Sequence, residues 1–214
     1  MRSIRRALVI VSVLAASLAL TREAAAGPPS DQLRSRLDRV VGILDDPALK
    51  ARPEARRTAL RGAAGDIFDF TEITRRSLGR HWQTATPAER EELTRLLTAL
   101  LERSYVGKIE TYSGGERIQY IAESADGEQA TVRTRIVTKA GTEIPVDYRM
   151  HRVGDRWLVY DVTIEGVSLV ANYRAQFNKI IQTSSFKGLV DKLKAKKEEG
   201  LEADADLQKR ASHK

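Results

Sequence analysis

From Glu116 to Glu165 apolar residues recur at every second position, whereas on either side they recur at every third or fourth. A period of two belongs to a strand with one buried face, and a period of 3.6 to an amphipathic helix. The chain therefore lays down helices, then a sheet, then helices again. That segregated order specifies an α+β architecture rather than alternating βαβ units. Asp126-Gly127, Ala140-Gly141 and Gly154-Asp155 are turn signals that divide the central stretch into runs near Arg117–Ser124, Gln129–Lys139, Glu143–Val153 and Arg156–Glu165. Connections this short join antiparallel neighbours, so the expected sheet is a four-stranded meander.

Alternation assigns the faces. Val132, Thr134 and Ile136 oppose Arg133 and Arg135, and Ile144, Val146, Tyr148 and Met150 oppose Asp147, Arg149 and His151. One face is apolar and the other wet. Bringing the apolar sets together places Ile136 opposite Val146 and Tyr148 opposite Thr134, across a three-residue loop Ala140-Gly141-Thr142. The last run is apolar on both sides, with Leu158, Tyr160, Val162 and Ile164 against Trp157 and Val159. The even-numbered set is expected inward.

Before the sheet, Leu33, Leu37, Val40 and Leu44 form a helical stripe that Pro47 ends. A second helix is expected from Pro53 to about Ala64, broken by Gly65, with Asp66–Phe70 as a connector and a short helix Thr71–Leu78 closed by Gly79. Thr86-Pro87-Ala88-Glu89 combines an N-cap hydroxyl, a first-turn proline and a capping-box carboxylate. It introduces a broad apolar face of Leu93, Leu96, Leu97, Leu100, Leu101, Tyr105 and Ile109. After Gly166 the helical period returns through Val170, Tyr173, Phe177 and Ile180, then Leu189, Val190 and Leu193 beyond a break at Ser184-Ser185. The expected domains are a signal peptide over 1–26, one globular unit over 27–196 and a charged, unstructured tail over 197–214.

The signal peptide follows from Arg2, Arg5 and Arg6, the uncharged run Ala7–Leu20 and the small residues Ala24-Ala25-Ala26. A spanning helix needs about 20 apolar residues, and this run is shorter. Removing the segment takes four arginines and Glu23 from the formal charge of +7, leaving 32 basic and 28 acidic residues. So small and interspersed an excess is only a weak argument for nucleic acid or an anionic membrane as partner. The basic clusters Arg75, Arg76, Arg80 and Lys192–Lys197 have no interleaved aromatics and read as solvated faces.

Chemistry is sparse. Without cysteine there is no disulfide, thiol nucleophile or thiolate metal site, and the three histidines, His81, His151 and His213, do not suggest a metal centre. No G-x-S-x-G, H-E-x-x-H or G-x-x-x-x-G-K-[ST] motif occurs. Asp69 with His81 is the one conceivable acid–base pair, and both read more simply as surface polar residues. His151, on the wet face, reads as a surface residue. Asp161 interrupts an apolar strand, where a buried carboxylate needs hydrogen-bond partners, so its expected role is structural.

Asp69-Phe70, Leu78-Gly79-Arg80-His81-Trp82, Tyr105, Trp157-Leu158-Val159-Tyr160-Asp161-Val162, Ile164-Glu165-Gly166-Val167-Ser168-Leu169-Val170, Asn172-Tyr173-Arg174 and Gln176-Phe177 resemble the MlaC, or toluene-tolerance, family of periplasmic phospholipid-binding proteins. The similarity runs from about Leu33 to Leu193, and its most specific part is the Tyr-Asp-Val to Asn-Tyr-Arg run; His81-Trp82 is a variant of an aromatic position. The resemblance implies a curved sheet with helices, related to the nuclear-transport-factor-2-like shape. It also implies a deep apolar cavity that takes acyl chains and leaves the headgroup outside. Phospholipid is the implied ligand and no cofactor is implied. The implied partners are an inner-membrane ABC transporter complex with an MCE-domain subunit and an outer-membrane lipoprotein complex, serving outer-membrane lipid asymmetry.

The tails are expected against Leu97, Leu101, Tyr105, Ile109, Val132, Ile136, Val146, Tyr148, Met150, Val162, Ile164, Val170, Tyr173 and Phe177. Ordinary core packing is the competing account of each. Tyr148 and Tyr173 carry polar tips suited to a cavity mouth. Arg149 and Arg174 are candidate phosphate partners, with a plain surface role as the simpler account. The alternatives are a small-molecule enzyme on the same cone-shaped fold, with Asp161 as its one candidate acid or base, a carrier of another exported lipid such as a hopanoid, and a structural partner-binding domain.

Overall fold

The computed structural model describes residues 28–110 and 116–211, so the expected export signal lies outside the described residues. The elements in order are α1 (Pro29–Asp45), α2 (Pro47–Lys50), α3 (Pro53–Ile67), α4 (Phe70–Leu78), α5 (His81–Thr84), α6 (Pro87–Glu110), β1 (Arg117–Asp126), β2 (Gln129–Val137), β3 (Glu143–Val153), β4 (Arg156–Ile164), β5 (Val167–Ser168), α7 (Leu169–Thr183) and α8 (Phe186–Ala211). The fold is α+β. The capping box forms as read: the Thr86 amide donates to Glu89 Oε2 at 2.8 Å, and the Glu89 amide donates to Thr86 Oγ1 at 3.3 Å. Two expected helix ends move. α3 passes through the exposed Gly65 to Ile67, because burial of Ala63 and Ile67 offsets a glycine cost of about 1 kcal/mol. α8 continues through residues 197–211 instead of giving way to an unstructured tail. Its Glu, Ala, Leu and Lys content favours helix even without an apolar stripe.

The sheet is antiparallel throughout, ordered β1-β2-β3-β4-β5, and β5 is a two-residue strand the sequence did not signal. β2 pairs with β3 so that Ile136 faces Ile144, Thr134 faces Val146 and Val132 faces Tyr148. The expected pairing was displaced by two residues, which leaves every side chain on its expected face. The three-residue loop is Lys139-Ala140-Gly141 rather than Ala140-Gly141-Thr142. Thr138 donates its amide to Thr142 across the loop, and Gly141 occupies the last loop position at φ +79°. A three-residue hairpin loop ends on a left-handed residue, and only glycine takes that conformation without cost. Glu165 (φ +49°) and Gly166 (φ +83°) make the tight turn from β4 to β5, where both central residues need positive φ.

Two bulges decide which residues face inward. In β1 the register shifts between Tyr120 and Ala122, leaving Ile121 unpaired and 53% exposed. In β4, Arg149 pairs with Asp161 but Met150 pairs with Val159, so Tyr160 is the extra residue. A bulge reverses side-chain parity along its strand. The inward set on β4 is therefore Trp157 and Val159 before the bulge and Val162 and Ile164 after it. The expectation of an all-even inward set holds only for the second half.

Two apolar clusters result. One joins the inner sheet face to α1 and α3 through Leu33, Ile67, Val132, Val146, Tyr148, Met150, Trp157 and Val159. The other is helical, formed by Ile73 and Leu78 of α4, Leu93, Leu96, Leu97 and Leu101 of α6, Val170 and Phe177 of α7, and Leu189, Val190 and Leu193 of α8. Partly buried Phe68, between α3 and α4, packs against both. Its neighbour Asp69 donates its amide to the Val159 carbonyl at 2.9 Å, covering the β4 edge. The N-terminal half of α1 is pinned to the β3–β4 hairpin. Gln32 accepts the Trp157 amide at 3.0 Å and donates to the Asp155 carbonyl at 3.0 Å.

Candidate functional site

Strand pairing arranges the inner sheet face in rungs. The first comprises Ile118, Ile136 and Ile144; the second Tyr120, Thr134, Val146 and Ile164; the third Glu123, Val132, Tyr148 and Val162; the fourth Ala125, Ala130, Met150 and Val159. Burial rises along the series. All three isoleucines of the first rung are partly buried, and in the second rung Tyr120 and Ile164 are partly buried while Thr134 and Val146 are buried. On β2, β3 and β4 every residue of the fourth rung is buried, in the same cluster as Leu33 and Ile67, while Ala125 on the edge strand β1 is exposed. The apolar face is thus sealed at the hairpin end, where α1 is anchored, and less covered at the end where β1 begins and β2 stops. Leu37 and Val40 of α1 pack on the same cluster and are also partly buried.

Three hydroxyls interrupt this surface. Thr134 Oγ1 donates to the Val146 carbonyl at 2.9 Å. The Tyr148 phenol is fully enclosed, and desolvation, with Tyr120 nearby, pushes its pKa far above the usual tyrosine value even with Thr134 beside it. Burial, reinforced by Asp38 and opposed by Arg34, raises Tyr120 to about 12. Both phenols stay neutral at physiological pH, and the carboxylate in register with these rungs, Glu123 beside Val132, is exposed on the edge strand and accepts the Ser30 amide of α1 at 2.8 Å. The Arg34 guanidinium stacks 3.9 Å from the Tyr120 ring centroid and clamps it from the α1 side.

Of the residues expected to line a cavity, the structure brings Val132, Ile136, Val146, Tyr148, Met150, Val162 and Ile164 together on this one face. Leu97, Leu101, Tyr105, Val170, Tyr173 and Phe177 belong to the helical cluster instead, and Ile109 near the end of α6 is 40% exposed. Ile118 and Tyr120 of the inner face, and Leu37 and Val40 of α1 packed on it, lie outside the expected set. The Ile118/Tyr120 alternation was the available signal, and the bulge at Ile121 obscured it.

The outer face is not simply wet. Asp161 is 3% exposed and accepts the Ser168 hydroxyl at 2.7 Å and the Val170 amide at 3.0 Å, tying the start of α7 to β4. Arg149 lies 3.8 Å from the same carboxylate, pointing out from the sheet at 54% exposure. Asp69 does not meet His81. It caps α4 through the Glu72 amide at 2.9 Å and pairs with Nε2 of His151 at 3.0 Å. His151 is mostly covered, contrary to its expected surface placement, because it packs edge-on against Tyr160 with Arg76 stacked on the same tyrosine ring. His81 instead contacts Asn178 at 3.1 Å. A surface cleft of about 510 Å³ between α4 and α7 is lined by Leu78, Gly79, Arg80, His81, Ala171, Arg174, Ala175 and Asn178. Its guanidinium, imidazole and amide groups suit polar guests rather than hydrocarbon. No group of three or more metal-ligating side chains and no helix long and apolar enough to cross a membrane occurs among the described residues.

Comparison with known proteins gives a consistent answer. The family model described as MlaC protein matches residues 34–195. The toluene tolerance protein Ttg2D of Pseudomonas putida is 25% identical over 182 residues, spanning 84% of this chain and 83% of that protein. A phospholipid-binding protein from Ralstonia solanacearum, solved in complex with a phospholipid, has a TM-score of 0.74 at 25% identity, covering 81% of this chain and 99% of the other.

Proposed function

The chain belongs to the MlaC protein family, and we propose on that premise that it is a periplasmic phospholipid carrier. It shuttles lipid between an outer-membrane lipoprotein complex and an inner-membrane MCE-domain ABC transporter, after export through a cleaved signal peptide over residues 1–26. The acyl chains lie along the inner sheet face, from the rung of Tyr120 and Val146 toward Tyr148 and Val162, with the headgroup outside and the isoleucine rung at the mouth. Moving one methylene into water costs about 0.8 kcal/mol, so two long tails oppose desorption by on the order of 20 kcal/mol. A carrier must therefore offer a surface that replaces the bilayer interior.

The observation that carries this reading is the burial gradient across β2, β3 and β4: large aliphatic side chains stay partly uncovered at one end of an apolar face that is sealed at the other. The phospholipid complex of the Ralstonia solanacearum protein supports the same ligand class. An enzyme would need ionisable groups converging on that face. Asp161 and the Asp69–His151 pair lie on the opposite face with their partners already engaged, which favours the carrier.

Protein purified from a Gram-negative host is expected to retain phospholipid at near one-to-one stoichiometry in native mass spectrometry. Lipid-free protein that also takes up nothing from liposomes would overturn the proposal, and a co-purifying hopanoid would redirect it to another lipid class.

A further inference from the structure

We propose that the Tyr120 hydroxyl donates a hydrogen bond to an acyl-ester carbonyl of the bound lipid and makes the site select ester-linked over ether-linked chains. This rests on the carrier reading above and adds to it a residue that discriminates among lipids.

Tyr120 Oη is shielded from solvent and has no hydrogen-bond partner. The other two hydroxyls of the inner face differ: Thr134 donates to Val146, and Tyr148 has Thr134 beside it; the Trp157 indole N–H is also unpartnered but lies at the sealed end. Buried polar groups are nearly always paired, and an unpaired donor costs stability, so an orphaned hydroxyl on an otherwise apolar surface calls for a partner from outside the chain. The ring is held in place, paired in register with Thr134 and stacked under Arg34 at 3.9 Å. Because the phenol stays protonated at neutral pH, it offers a hydrogen to an acceptor.

Position then selects the acceptor. Tyr120 stands on the second rung, two residues and therefore about 7 Å inside the less covered isoleucine rung. A diacyl lipid with its headgroup outside and its tails on the deeper rungs passes its glycerol-ester region through that level. Methylenes cannot accept a hydrogen bond, and the phosphate is too strongly hydrated to enter an apolar face. The ester carbonyl is the acceptor that remains. A site built to pair a polar group penalises the analogue that lacks it, because its own donor is then left unsatisfied.

The test uses the delipidated mature chain with two probes: a diacyl phosphatidylglycerol and its dialkyl-ether counterpart of equal chain length. The wild type is expected to bind the diacyl lipid about fivefold more tightly, the size of one net hydrogen bond. Tyr120→Phe is expected to bind both lipids equally, at the wild-type affinity for the ether, and to melt no lower than the wild type when lipid-free. Equal affinities in the wild type, or an ester preference that survives in Tyr120→Phe, would overturn the inference while leaving the carrier intact. Binding of neither lipid would overturn both.

Discussion

Ile144→Ala and Met150→Ala separate a lipid-accepting face from an ordinary core. Both residues lie on the inner face of β3, three rungs apart in the series from open to sealed end. Met150 is 0% exposed and packs in the same cluster as Leu33 and Val159. Its truncation leaves an enclosed cavity, for which about 2–5 kcal/mol of destabilisation is expected. Ile144 is partly buried on the first rung. Its truncation removes three carbons, worth about 2.4 kcal/mol if fully buried, and leaves no closed void. With part of that surface already in water, about 1 kcal/mol is expected. Urea unfolding of delipidated protein measures both, with an unchanged m-value confirming that the folded state keeps its compactness. Lipid affinity should rank the other way. Ile144→Ala loses contact with the lipid at the mouth of the face and weakens binding about fivefold, the equivalent of roughly 1 kcal/mol, while folded Met150→Ala changes affinity less. If Ile144→Ala costs as much apo stability as Met150→Ala and leaves lipid affinity untouched, the first rung packs against the protein itself and the proposed lipid site is wrong.

Two further predictions concern the helices attached to the outer face. Asp161→Ala removes both acceptors at the start of α7 and orphans the buried Val170 amide, so about 1–3 kcal/mol of stability should be lost in thermal or urea unfolding; Arg149→Gln, at an exposed partner, should change stability by less than about 1 kcal/mol. Glu72 should make stability depend on acid. Burial would raise its pKa, but hydrogen bonds and charge from Arg75 and Arg76 outweigh burial and hold it below the usual carboxylate range. A depressed folded pKa contributes stability that is full above the unfolded value and fades as pH falls through the folded one. Glu72→Gln should therefore cost about 1 kcal/mol near pH 7, with the difference from wild type shrinking below about pH 4.5. A constant difference down to pH 2 would show that the carboxylate charge is not what holds this corner.

Much of the fold was legible because local chemistry and tertiary structure agree over most of the chain. The capping box at Thr86, the strand limits and the Ser184-Ser185 break all follow from turn and capping residues that act within a few positions. The errors arose where a single residue changes parity or register. Nothing local distinguishes Tyr160 from its neighbours as a bulge, yet the bulge places Val159 and Val162 on one face together. The hairpin loop was one residue out because glycine at position 141 fits either loop, and only its left-handed last position fixes the choice. The pairing of Asp69 with His151 rather than His81 joins residues far apart in the chain, for which periodicity holds no signal. The candidate site was half legible. Alternation found the sheet residues, but the same apolar character in α6 and α7 serves a separate helical cluster.

That division bears on how the proposed carrier stays folded when empty. A face kept partly open for hydrocarbon forgoes packing that would otherwise stabilise the chain, at roughly 25 cal/mol for each Å² left in water. The helical cluster supplies stability elsewhere: Leu93, Leu97 and Leu189 are at most 1% exposed, and α4, α6, α7 and α8 close around them without help from the open rungs. The Tyr160 bulge keeps the two roles apart. It sends Val162 and Ile164 inward to the open rungs while Tyr160 and Asp161 turn outward, where Tyr160 stacks with Arg76 and His151 and Asp161 holds the start of α7. Ligand then adds to stability by mass action instead of being required for folding. The lipid-free protein should remain cooperatively folded, and its melting temperature should rise with lipid concentration.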